Sequence, residues 1–420
     1  MGSCFYINIG GIQMTYKPTK EVLEVLEDMA PSLLETKEAR AMPAECYTSE
    51  AFYEFEKEAI YYREWLCVGR VDQIPNIGDY FTITIQDDPL IVSRGGDGEI
   101  YVISAVCQHR GHLVAEGSGN CKNFRCPLHW WTYNHTGELV SAPEMIRIEP
   151  FDILRHDHSL PQLKTEVWNG FIFCNFNPDA APLAPTLIKL DEEMKNYNVN
   201  KMVAMPFIDI EDCEWNWKIM IESSLEPYHT TYLHSGPHDF APGKLASFID
   251  FDEEDGQVMH PTGFTHEGAG FSPDQKAIFP IIPTLSKEQR SKMTIAAIPP
   301  MLTLGLLPDQ MFWNIILPQG PGKILFRAGL CYPKETTELP DFQERYELAN
   351  DSVMEINEQD LAANKSIQKG MYAKLSSRGR YAQLERTLPQ LNRWLAKRYK
   401  GYLKEIGIKV EGLEHAKVEQ

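Results

Sequence analysis

Apolar positions in the first 65 residues recur at helical spacing. The segment 18–40, which contains Leu23, Val25, Leu26, Met29 and Leu33, is predicted to be a short helical lead-in. A second helix is predicted from Ser49 to Trp65, because Ser49 can cap its N-terminus and its aromatic and apolar residues recur with the same period. The pattern therefore predicts helices at the start of the chain.

The pattern changes to that of strands and turns after Val71. Polar and apolar residues alternate from Asp79 to Ile85, and Gly95 to Gly98 form a turn before the apolar run from Ile100 to Val106. This β-rich texture extends to about Phe173. A proline-rich stretch follows Asn175 and indicates a domain boundary.

The second half mixes strands with long helices. A strand is predicted from Met202 to Ile210, a helix from Asn216 to Leu225, and a hairpin of Met311 to Leu317 with Ile324 to Tyr332. Two helices, from about Asp341 to Ala373 and from Tyr381 to Ile406, close the chain. We therefore predict an α+β protein in which a β-rich domain precedes a larger mixed domain with an antiparallel sheet and flanking helices.

Composition limits the class of protein. A chain of 420 residues exceeds what one core usually serves, so two domains are expected. The net charge of −19 argues against a nucleic acid or an anionic membrane as partner, since both attract basic surfaces. No apolar run is long enough to span a bilayer, and the nine cysteines are scattered rather than arranged as a disulfide framework. We expect a cytoplasmic protein.

Two short clamps in the β-rich half each combine one cysteine with one histidine. Cys107 and His109 form the first clamp, and Cys126 and His129 form the second. Two thiolates and two imidazoles are the ligand set of a Rieske [2Fe-2S] cluster, in which two histidines replace two cysteines on one iron. A structural zinc site uses the same residue types, but common zinc patterns place the two cysteines in one clamp and the two histidines in the other. The mixed clamps therefore favour the iron–sulfur cluster over zinc.

A second group of potential metal ligands follows the domain boundary. His229 and His234 stand five residues apart behind Glu222 and Glu226, with Pro227 interrupting a regular helix. Two histidines and a carboxylate form the facial triad of non-haem Fe(II) sites, which leaves positions open for O₂. The carboxylate could be one of these glutamates, or it could come from the acid-rich helix that follows. The candidates on that helix are Asp351, Glu355, Glu358 and Asp360.

Together these motifs resemble a known family, the large (α) subunits of Rieske non-haem iron oxygenases, over nearly the whole chain. Both cluster clamps, the segment from Asn216 to His234, and Glu358-Gln359-Asp360 with Gln368 and Gly370 carry the resemblance. It implies that Cys107, His109, Cys126 and His129 hold the cluster. It further implies that His229, His234 and Asp360 hold a mononuclear Fe(II).

The resemblance also assigns roles to two neighbouring residues. Glu226 falls where the family has an acidic residue that links a cluster histidine of one subunit to an iron histidine of the next, and glutamate there is similar to carnitine and glycine betaine monooxygenases. Ser223 replaces a common asparagine near the iron, Trp130 replaces a usual glycine, and Gln108 replaces a more usual proline or arginine. The implied domains are N-terminal helices (1–65) packed on the catalytic domain, a Rieske domain (66–175) and a catalytic domain (176–420).

The implied activity is the hydroxylation or oxidative demethylation of a small organic substrate with O₂. Electrons would come from NAD(P)H through a separate reductase or ferredoxin, and a homotrimer is expected. A cis-dihydroxylating aromatic ring dioxygenase is the alternative, and a Rieske electron carrier without an oxygenase site lies outside this class. Apolar residues expected in the substrate pocket are Phe264, Phe271, Phe279, Met301 and Phe312. Phe312 and Trp313 are neighbours on a predicted strand, so only one of them should face the pocket.

Overall fold

The computed structural model describes residues 16–414, so the first fifteen residues of the predicted N-terminal segment lie outside the described part. Three helices open the described chain: α1 (Lys20–Asp28), α2 (Glu45–Thr48) and α3 (Glu50–Glu56). As predicted, Ser49 caps α3, and its hydroxyl accepts the N–H of Phe52. A π-helical turn (Lys57–Tyr61) follows, so the regular helix is shorter than the sequence pattern suggested.

A seven-stranded antiparallel sheet forms the core of the first domain. Its strands are β1 (Leu66–Arg70), β2 (Asp79–Ile85), β3 (Asp88–Arg94), β4 (Ile100–Ser104), β5 (Ser118–Asn120), β9 (Gln162–Trp168) and β10 (Phe171–Asn175), in the order β1-β10-β9-β4-β3-β2-β5. A second, three-stranded sheet contains β6 (Phe124–Arg125), β7 (Thr132–Tyr133) and β8 (Leu139–Ser141). Helix α4 (Phe151–His158) connects β8 to β9. The clamp of Cys107 and His109 lies in the loop between β4 and β5, and the clamp of Cys126 and His129 lies in the loop between β6 and β7.

A larger antiparallel sheet forms the core of the second domain. Its strands are β11 (Val203–Ala204), β12 (Ile208–Cys213), β13 (Val258–Gly263), β14 (Lys292–Ile298), β15 (Leu302–Leu306), β16 (Met311–Gly320) and β17 (Lys323–Tyr332). The strand order is β11-β17-β16-β15-β14-β13, and β12 also pairs with β17. The helices of this half are α5 (Ile188–Met194), α6 (Trp217–Leu225), α7 (Lys334–Thr337), α8 (Phe342–Met371) and α9 (Thr387–Glu405). The α+β fold class predicted from the sequence is confirmed.

Two element boundaries differ from the sequence prediction. The strand predicted from Met202 to Ile210 is two strands, because Pro206 lies between them and has no N–H to donate to a neighbouring strand. The last helix begins at Thr387 rather than at Tyr381, since a short 3₁₀ turn (Gln383–Glu385) precedes it.

A buried ionic network fixes the N-terminal helices to the second domain. Glu56 of α3 accepts hydrogen bonds from Lys218 Nζ at 2.8 Å, from Trp217 Nε1 at 3.1 Å and from Tyr399 OH at 2.5 Å. Lys218 and Trp217 belong to α6 and Tyr399 belongs to α9, so one carboxylate holds three helices together. Because α6 leads directly into the segment with His229 and His234, this network also fixes the position of that segment.

The two faces of the larger sheet have different neighbours. Side chains alternate along β16, so Phe312 and Asn314 face α8 while Trp313 faces the first domain and packs edge-on against Phe171 of β10 at 6.1 Å. The face toward α8 borders a large cavity. Within residues 16–414, no helix is both long and apolar enough to cross a membrane.

Candidate metal centres and active site

The segment with His229 and His234 follows the end of α6. Asn216 caps that helix, and its side chain accepts the N–H of Lys218 at 3.0 Å. The helix ends at Leu225, and Glu226 has an extended backbone because a residue that precedes proline disfavours the helical conformation. His229 then begins a single 3₁₀ turn, His229–Thr231. The two histidines therefore lie on a tight turn rather than on a regular helix.

His229, His234 and Asp360 come together although Asp360 lies on α8. Oδ1 of Asp360 is 3.1 Å from Nε2 of His234 and 3.6 Å from Nε2 of His229. One ligand atom from each of the three residues lies within 4.8 Å of the other two. Ligands that bind one metal at about 2.1 Å and at right angles lie roughly 3 Å apart, so the arrangement has the dimensions of a mononuclear site.

A hydrogen bond to the far side of each imidazole sets its orientation. Nδ1 of His229 donates to Glu226 Oε1 at 2.6 Å, and Nδ1 of His234 donates to Gln359 Oε1 at 2.7 Å. Each Nε2 is then the unprotonated nitrogen and faces Asp360, as a metal ligand must. Burial lowers the pKa of His229, but the hydrogen bond and charge of Glu226 outweigh burial and raise it overall. Glu222 is the other glutamate that precedes His229 in the sequence. Its side chain instead accepts a hydrogen bond from Tyr47 OH at 2.6 Å, and burial raises its pKa to about 7.

The missing hydrogen-bond partner of Asp360 indicates whether a cation fits this site. Its Oδ1 is buried and has no hydrogen-bond partner among the described residues, although two imidazole nitrogens lie close to it. A buried carboxylate oxygen without a partner is energetically costly. A metal ion between the three ligand atoms would remove that cost, so the residues fit a mononuclear Fe(II).

A cavity of about 1160 Å³, including its open mouth, surrounds this triad. One wall is a face of α8 that bears Tyr346, Asn350, Asn357 and Asp360 at helical spacing. The opposite wall is the larger sheet, where two rows of side chains run across neighbouring strands. The first row consists of Ile208, Ala328, Asn314 and Thr303, and the second of Leu330, Phe312, Gly305, Ile295 and His260.

Gly305 leaves room for the ring of Phe312. A Cβ at Gly305 would lie 2.1 Å from Cε1 of Phe312, the residue opposite it on β16. The ring therefore lies flat across β15 and forms part of the cavity floor. The same relation recurs on the opposite face, where Gly329 makes room for Trp313.

Some of the residues predicted for the substrate pocket line the cavity, and others lie outside its lining. Phe271 and Phe312 line the cavity, while Phe264 packs behind it against Phe240. Three of the five residues therefore lie outside the lining. Besides Phe264, these are Phe279, which packs against Tyr332 and Phe342, and Met301, which is fully buried in the main core. Ser223 also lines the cavity, where its hydroxyl accepts from Asn364 Nδ2 at 3.2 Å.

Three residues near the triad were missed by sequence reasoning. Gln359 orients His234, and its position beside Asp360 was the only local signal. His238 and His260 both line the cavity and are almost completely buried. Burial, followed by the charges of neighbouring histidines, lowers the pKa of His238 to about 4 and that of His260 to about 3. The available signals were that His238 follows His234 by four residues and that His260 lies within an apolar strand.

The two clamps form a second convergent group. Cys107 and Cys126 are buried, whereas His109 and His129 are exposed, and the centroids of the two imidazoles are 4.7 Å apart. Tyr133 OH lies 3.3 Å from the sulfur of Cys107. Burial raises the pKa of the Cys107 thiol, and burial followed by the neighbouring His129 lowers the pKa of His109. Two buried sulfurs beside two exposed imidazoles fit the ligand set of a Rieske [2Fe-2S] cluster.

The two clamp loops have the same backbone geometry. The N–H of Gly111 donates to Cys107 O at 3.0 Å, and the N–H of Trp130 donates to Cys126 O at 2.9 Å. Gly111 and Trp130 both have left-handed backbones, with φ of 76° and 61°. Trp130 is exposed, and the guanidinium of Arg125 lies over its ring. Trp131 supports the cluster side, because its buried ring stacks on His109 at 4.7 Å.

Fold and site together define a protein with two separate metal-binding centres, one on loops of a small β domain and one beside a cavity. Family models match both parts: a "Rieske [2Fe-2S] domain" over residues 64–152, and a "Ring hydroxylating alpha subunit (catalytic domain)" over residues 194–401. The chain therefore belongs to the family of Rieske non-haem iron oxygenase α subunits, as the motifs predicted. Its cofactors are a Rieske [2Fe-2S] cluster and a mononuclear iron.

Two relatives of this chain are named for carnitine and for choline. The chain is 32% identical over 200 residues to the carnitine monooxygenase oxygenase subunit of Acinetobacter pittii, a match that covers 47% of this chain and 53% of that protein. It is 26% identical over 365 residues to the chloroplastic choline monooxygenase of Arabidopsis thaliana, with 83% and 81% coverage. The chain thus spans about half the length of the carnitine enzyme that it matches.

Solved structures share the fold. A quaternary ammonium Rieske monooxygenase has a TM-score of 0.72 at 20% identity and covers 93% of this chain and 98% of its own. Naphthalene 1,2-dioxygenase from Rhodococcus sp. also has a TM-score of 0.72 at 20% identity, with 91% and 99% coverage. Because a monooxygenase and a dioxygenase match equally well, the fold does not distinguish the two reactions.

Proposed function

We propose that the chain is the oxygenase component of a system that uses O₂ and externally supplied electrons to hydroxylate or oxidatively demethylate a small organic substrate. The convergence of His229, His234 and Asp360 beside an open cavity carries this proposal. A Rieske electron carrier would need neither these three residues nor the cavity. The relatives that act as monooxygenases favour one inserted oxygen atom over cis-dihydroxylation.

The proposed ligands are Cys107, His109, Cys126 and His129 for the cluster. For the mononuclear iron they are His229, His234 and Asp360. When bound, the cluster supplies single electrons, and the iron supplies open coordination positions at which O₂ reacts beside the substrate. The protein residues orient the imidazoles, exclude water through the apolar sheet wall, and hold the substrate.

Glu226 is proposed as a positioning residue between the two centres. Its Oε1 already accepts from His229, and its Oε2 accepts the backbone N–H groups of Tyr228 and His229 at 2.6 and 3.0 Å. Within the described chain, no hydrogen bond joins Glu226 to either clamp loop. The exposed His109 or His129 of a neighbouring subunit could complete the connection. One solved relative has been described in terms of inter-subunit electron transfer.

The proposal includes partners and location. A separate reductase or ferredoxin would deliver electrons at the exposed cluster loops, and a homotrimer would place one subunit's cluster beside its neighbour's iron. The cytoplasm is the proposed location, and its support is that none of the eight cysteines within residues 16–414 forms a disulfide.

The test combines iron content with product analysis. The purified protein should contain about three irons per chain, two in the cluster and one in the triad, whereas an electron carrier would contain two. Asp360→Asn should lower the content to about two and keep the visible spectrum of the cluster. Asp351→Asn, an exposed change of the same kind on α8, should keep three irons.

Turnover is then measured with a surrogate reductase, NAD(P)H and a panel of small organic compounds. A product heavier by one oxygen atom, or a demethylated product with released formaldehyde, supports a monooxygenase. Addition of two hydroxyl groups identifies a dioxygenase. O₂ uptake without product from any compound in the panel would contradict the oxygenase proposal.

A further inference from the structure

The charged groups of the cavity are all committed to other partners. No lysine or arginine contributes to its lining within the described residues. Glu226 and Asp360 are the acidic residues of that lining, but Glu226 uses both oxygens for His229 and the local backbone, and the unpaired Oδ1 of Asp360 is committed to the metal site that it forms with the two imidazoles. A charged substrate would therefore meet no free counterion. Burial of an unpaired ion is strongly unfavourable.

The aromatic residues of the lining do not replace a counterion. Three such residues border the cavity, namely Phe271, Phe312 and Tyr346. Phe271 and Tyr346 belong to two different apolar clusters, and each is engaged by neighbours. Phe271 packs edge-on against Phe240 at 5.0 Å, and one face of Tyr346 stacks on Phe342 at 5.9 Å. The rings therefore supply apolar surface rather than a closed cage around a cation.

Neutral polar groups in the cavity still have unused hydrogen-bonding capacity. The side chain of Asn350, one turn after Tyr346 on α8, has no partner among the described residues. Nδ1 of His238 is buried and also lacks a partner there, and His238 is 4% exposed and lies beside His234, with ring centroids 6.0 Å apart. Asn350 is only half-buried and has its amide free for a ligand, whereas the buried Nδ1 of His238 is an unfavourable unpaired group that a ligand stabilises by pairing with it.

Resting on the proposed function, we propose that the substrate is an uncharged organic molecule with at least one neutral hydrogen-bonding group, such as a hydroxyl, carbonyl or amide. Its apolar body packs on Phe312 and Ile295 of the sheet wall. Its polar group pairs with Asn350 or His238. The cavity thereby discriminates against quaternary ammonium ions and carboxylates, unlike the characterised relatives that oxidise carnitine and choline.

Matched compounds of equal shape test this proposal on the holoenzyme. Choline is compared with 3,3-dimethylbutan-1-ol, in which carbon replaces the charged nitrogen, and salicylate is compared with salicylamide. Dissociation constants are measured by calorimetry without reductase. The neutral member of each pair should bind at least about tenfold more tightly, which corresponds to about 1.4 kcal/mol.

A charge introduced at Asn350 should reverse part of this preference. Asn350→Asp replaces an amide with a carboxylate of the same shape, and the ratio of the affinity for choline to that for 3,3-dimethylbutan-1-ol should rise at least about tenfold. Gln343→Glu is the matched control, because it adds the same charge at an exposed position of α8 outside the cavity. In this control, the ratio of the affinity for choline to that for 3,3-dimethylbutan-1-ol should equal the ratio in the parent protein.

Each outcome decides the inference separately from the proposed function. Binding of a charged compound as tight as that of its neutral partner overturns the inference. So does the absence of binding by both neutral compounds at millimolar concentration, or an equal change in ratio for both variants. Because binding is measured without O₂ or reductase, an enzyme that fails to turn over can still satisfy these tests, and an active oxygenase can still fail them.

Discussion

At the scale of single residues, the two candidate iron histidines differ in what orients them. His229 is held by the carboxylate of Glu226, whereas His234 is held by the neutral amide of Gln359. A negative charge behind an imidazole increases its basicity, and an amide fixes only its orientation. Glu226, the charged group that orients His229, also lies near the surface, since the neighbouring Tyr228 and Tyr232 are exposed.

Glu226→Gln keeps a hydrogen-bond acceptor for His229 and removes the charge. We expect both metals to stay bound and the cluster to stay reducible, while turnover falls about 10–100-fold, the typical effect of changing a residue that orients a metal ligand. Iron content, the spectrum of the reduced cluster and product formation are the measurements. Glu355→Gln, an exposed change on α8, serves as the control. Turnover near that of the control would exclude the proposed positioning role.

His260 should make stability depend on pH. Its pKa in the folded protein is about 3, lowered by burial and then by His229 and His238, whereas an unfolded histidine has a pKa near 6.5. Below pH 6.5 the unfolded chain takes up a proton that the folded chain does not, so stability falls as the pH falls. Between pH 7.5 and pH 5 this single group should cost about 2 kcal/mol.

The measurement compares the parent protein with His260→Asn by denaturant unfolding at both pH values. The difference between the two proteins isolates this histidine from groups with the opposite dependence, such as the buried Asp309, whose pKa burial raises to about 6. The variant should lose less stability than its parent on acidification. Equal losses would show that His260 does not stay neutral in the folded protein.

The candidate metal ligands could be predicted from the sequence because their spacing is local. Cys107 with His109, Cys126 with His129, and His229 with His234 are each confined to a few residues. Asp360 was one of several acids until the resemblance selected it, and His238, His260 and Gln359 were not recognised. Their roles depend on contacts between distant elements, which the spacing of single residue types does not reveal.

At the scale of elements, the shape of the cavity depends on how closely the ring of Phe312 on β16 approaches Gly305 on β15. Gly305→Ala would place a Cβ where the ring of Phe312 now lies, so the ring must move into the cavity. We expect affinity for bulky ligands to fall about tenfold or more, with stability reduced by about 1–3 kcal/mol as in other overpacked sites. Ligand calorimetry and denaturant unfolding are the measurements.

Gly401→Ala provides a control for Gly305→Ala. Gly401 lies inside α9, and no atom lies within 4 Å of the position that an added Cβ would occupy. Alanine should therefore stabilise the helix by about 0.5–1 kcal/mol and leave ligand affinity unchanged. If the two glycine variants have the same ligand affinity, the approach of Phe312 to Gly305 does not shape the cavity.

Periodicity predicted the type of most elements, but their ends depended on backbone chemistry. The strand pattern from Met202 to Ile210 could not show that Pro206 interrupts pairing. The helical pattern from Ser49 to Trp65 could not show the π-helical turn after Glu56, because side-chain spacing hardly changes over one turn. Where Phe312 and Trp313 point was predictable, since alternation on a strand is strict.

At the scale of the whole molecule, His109 and His129 are exposed and the triad lies beside an open cavity, and the proposed homotrimer should decide which cluster passes electrons to which iron site. Mixed oligomers of a chain without the cluster, Cys107→Ser, and a chain without the mononuclear iron, Asp360→Asn, test this. Each homo-oligomer should be inactive. The mixture, refolded or coexpressed, should recover a measurable fraction of parent turnover, because an intact cluster then adjoins an intact iron site of another subunit.

The control for this experiment mixes each variant with itself under the same conditions. Product formation by mixed oligomers of separately tagged chains, purified on both tags, is the measurement. Inactive mixed oligomers that hold the expected metals would show that electrons stay within one chain, and the proposed trimer would then have no part in catalysis.

Helix α8 has a consequence for how this protein can change over evolutionary time. Tyr346, Asn350, Asn357 and Asp360 share one face of an uninterrupted helix, so a deletion of one residue among them would turn the rest by about 100° and remove either the substrate contacts or the candidate iron ligand. The irregular segment between β13 and β14, which contributes Phe271, has no such register to keep. Descendants that acquire new substrates should therefore differ in the length of that segment, while α8 changes by substitution alone.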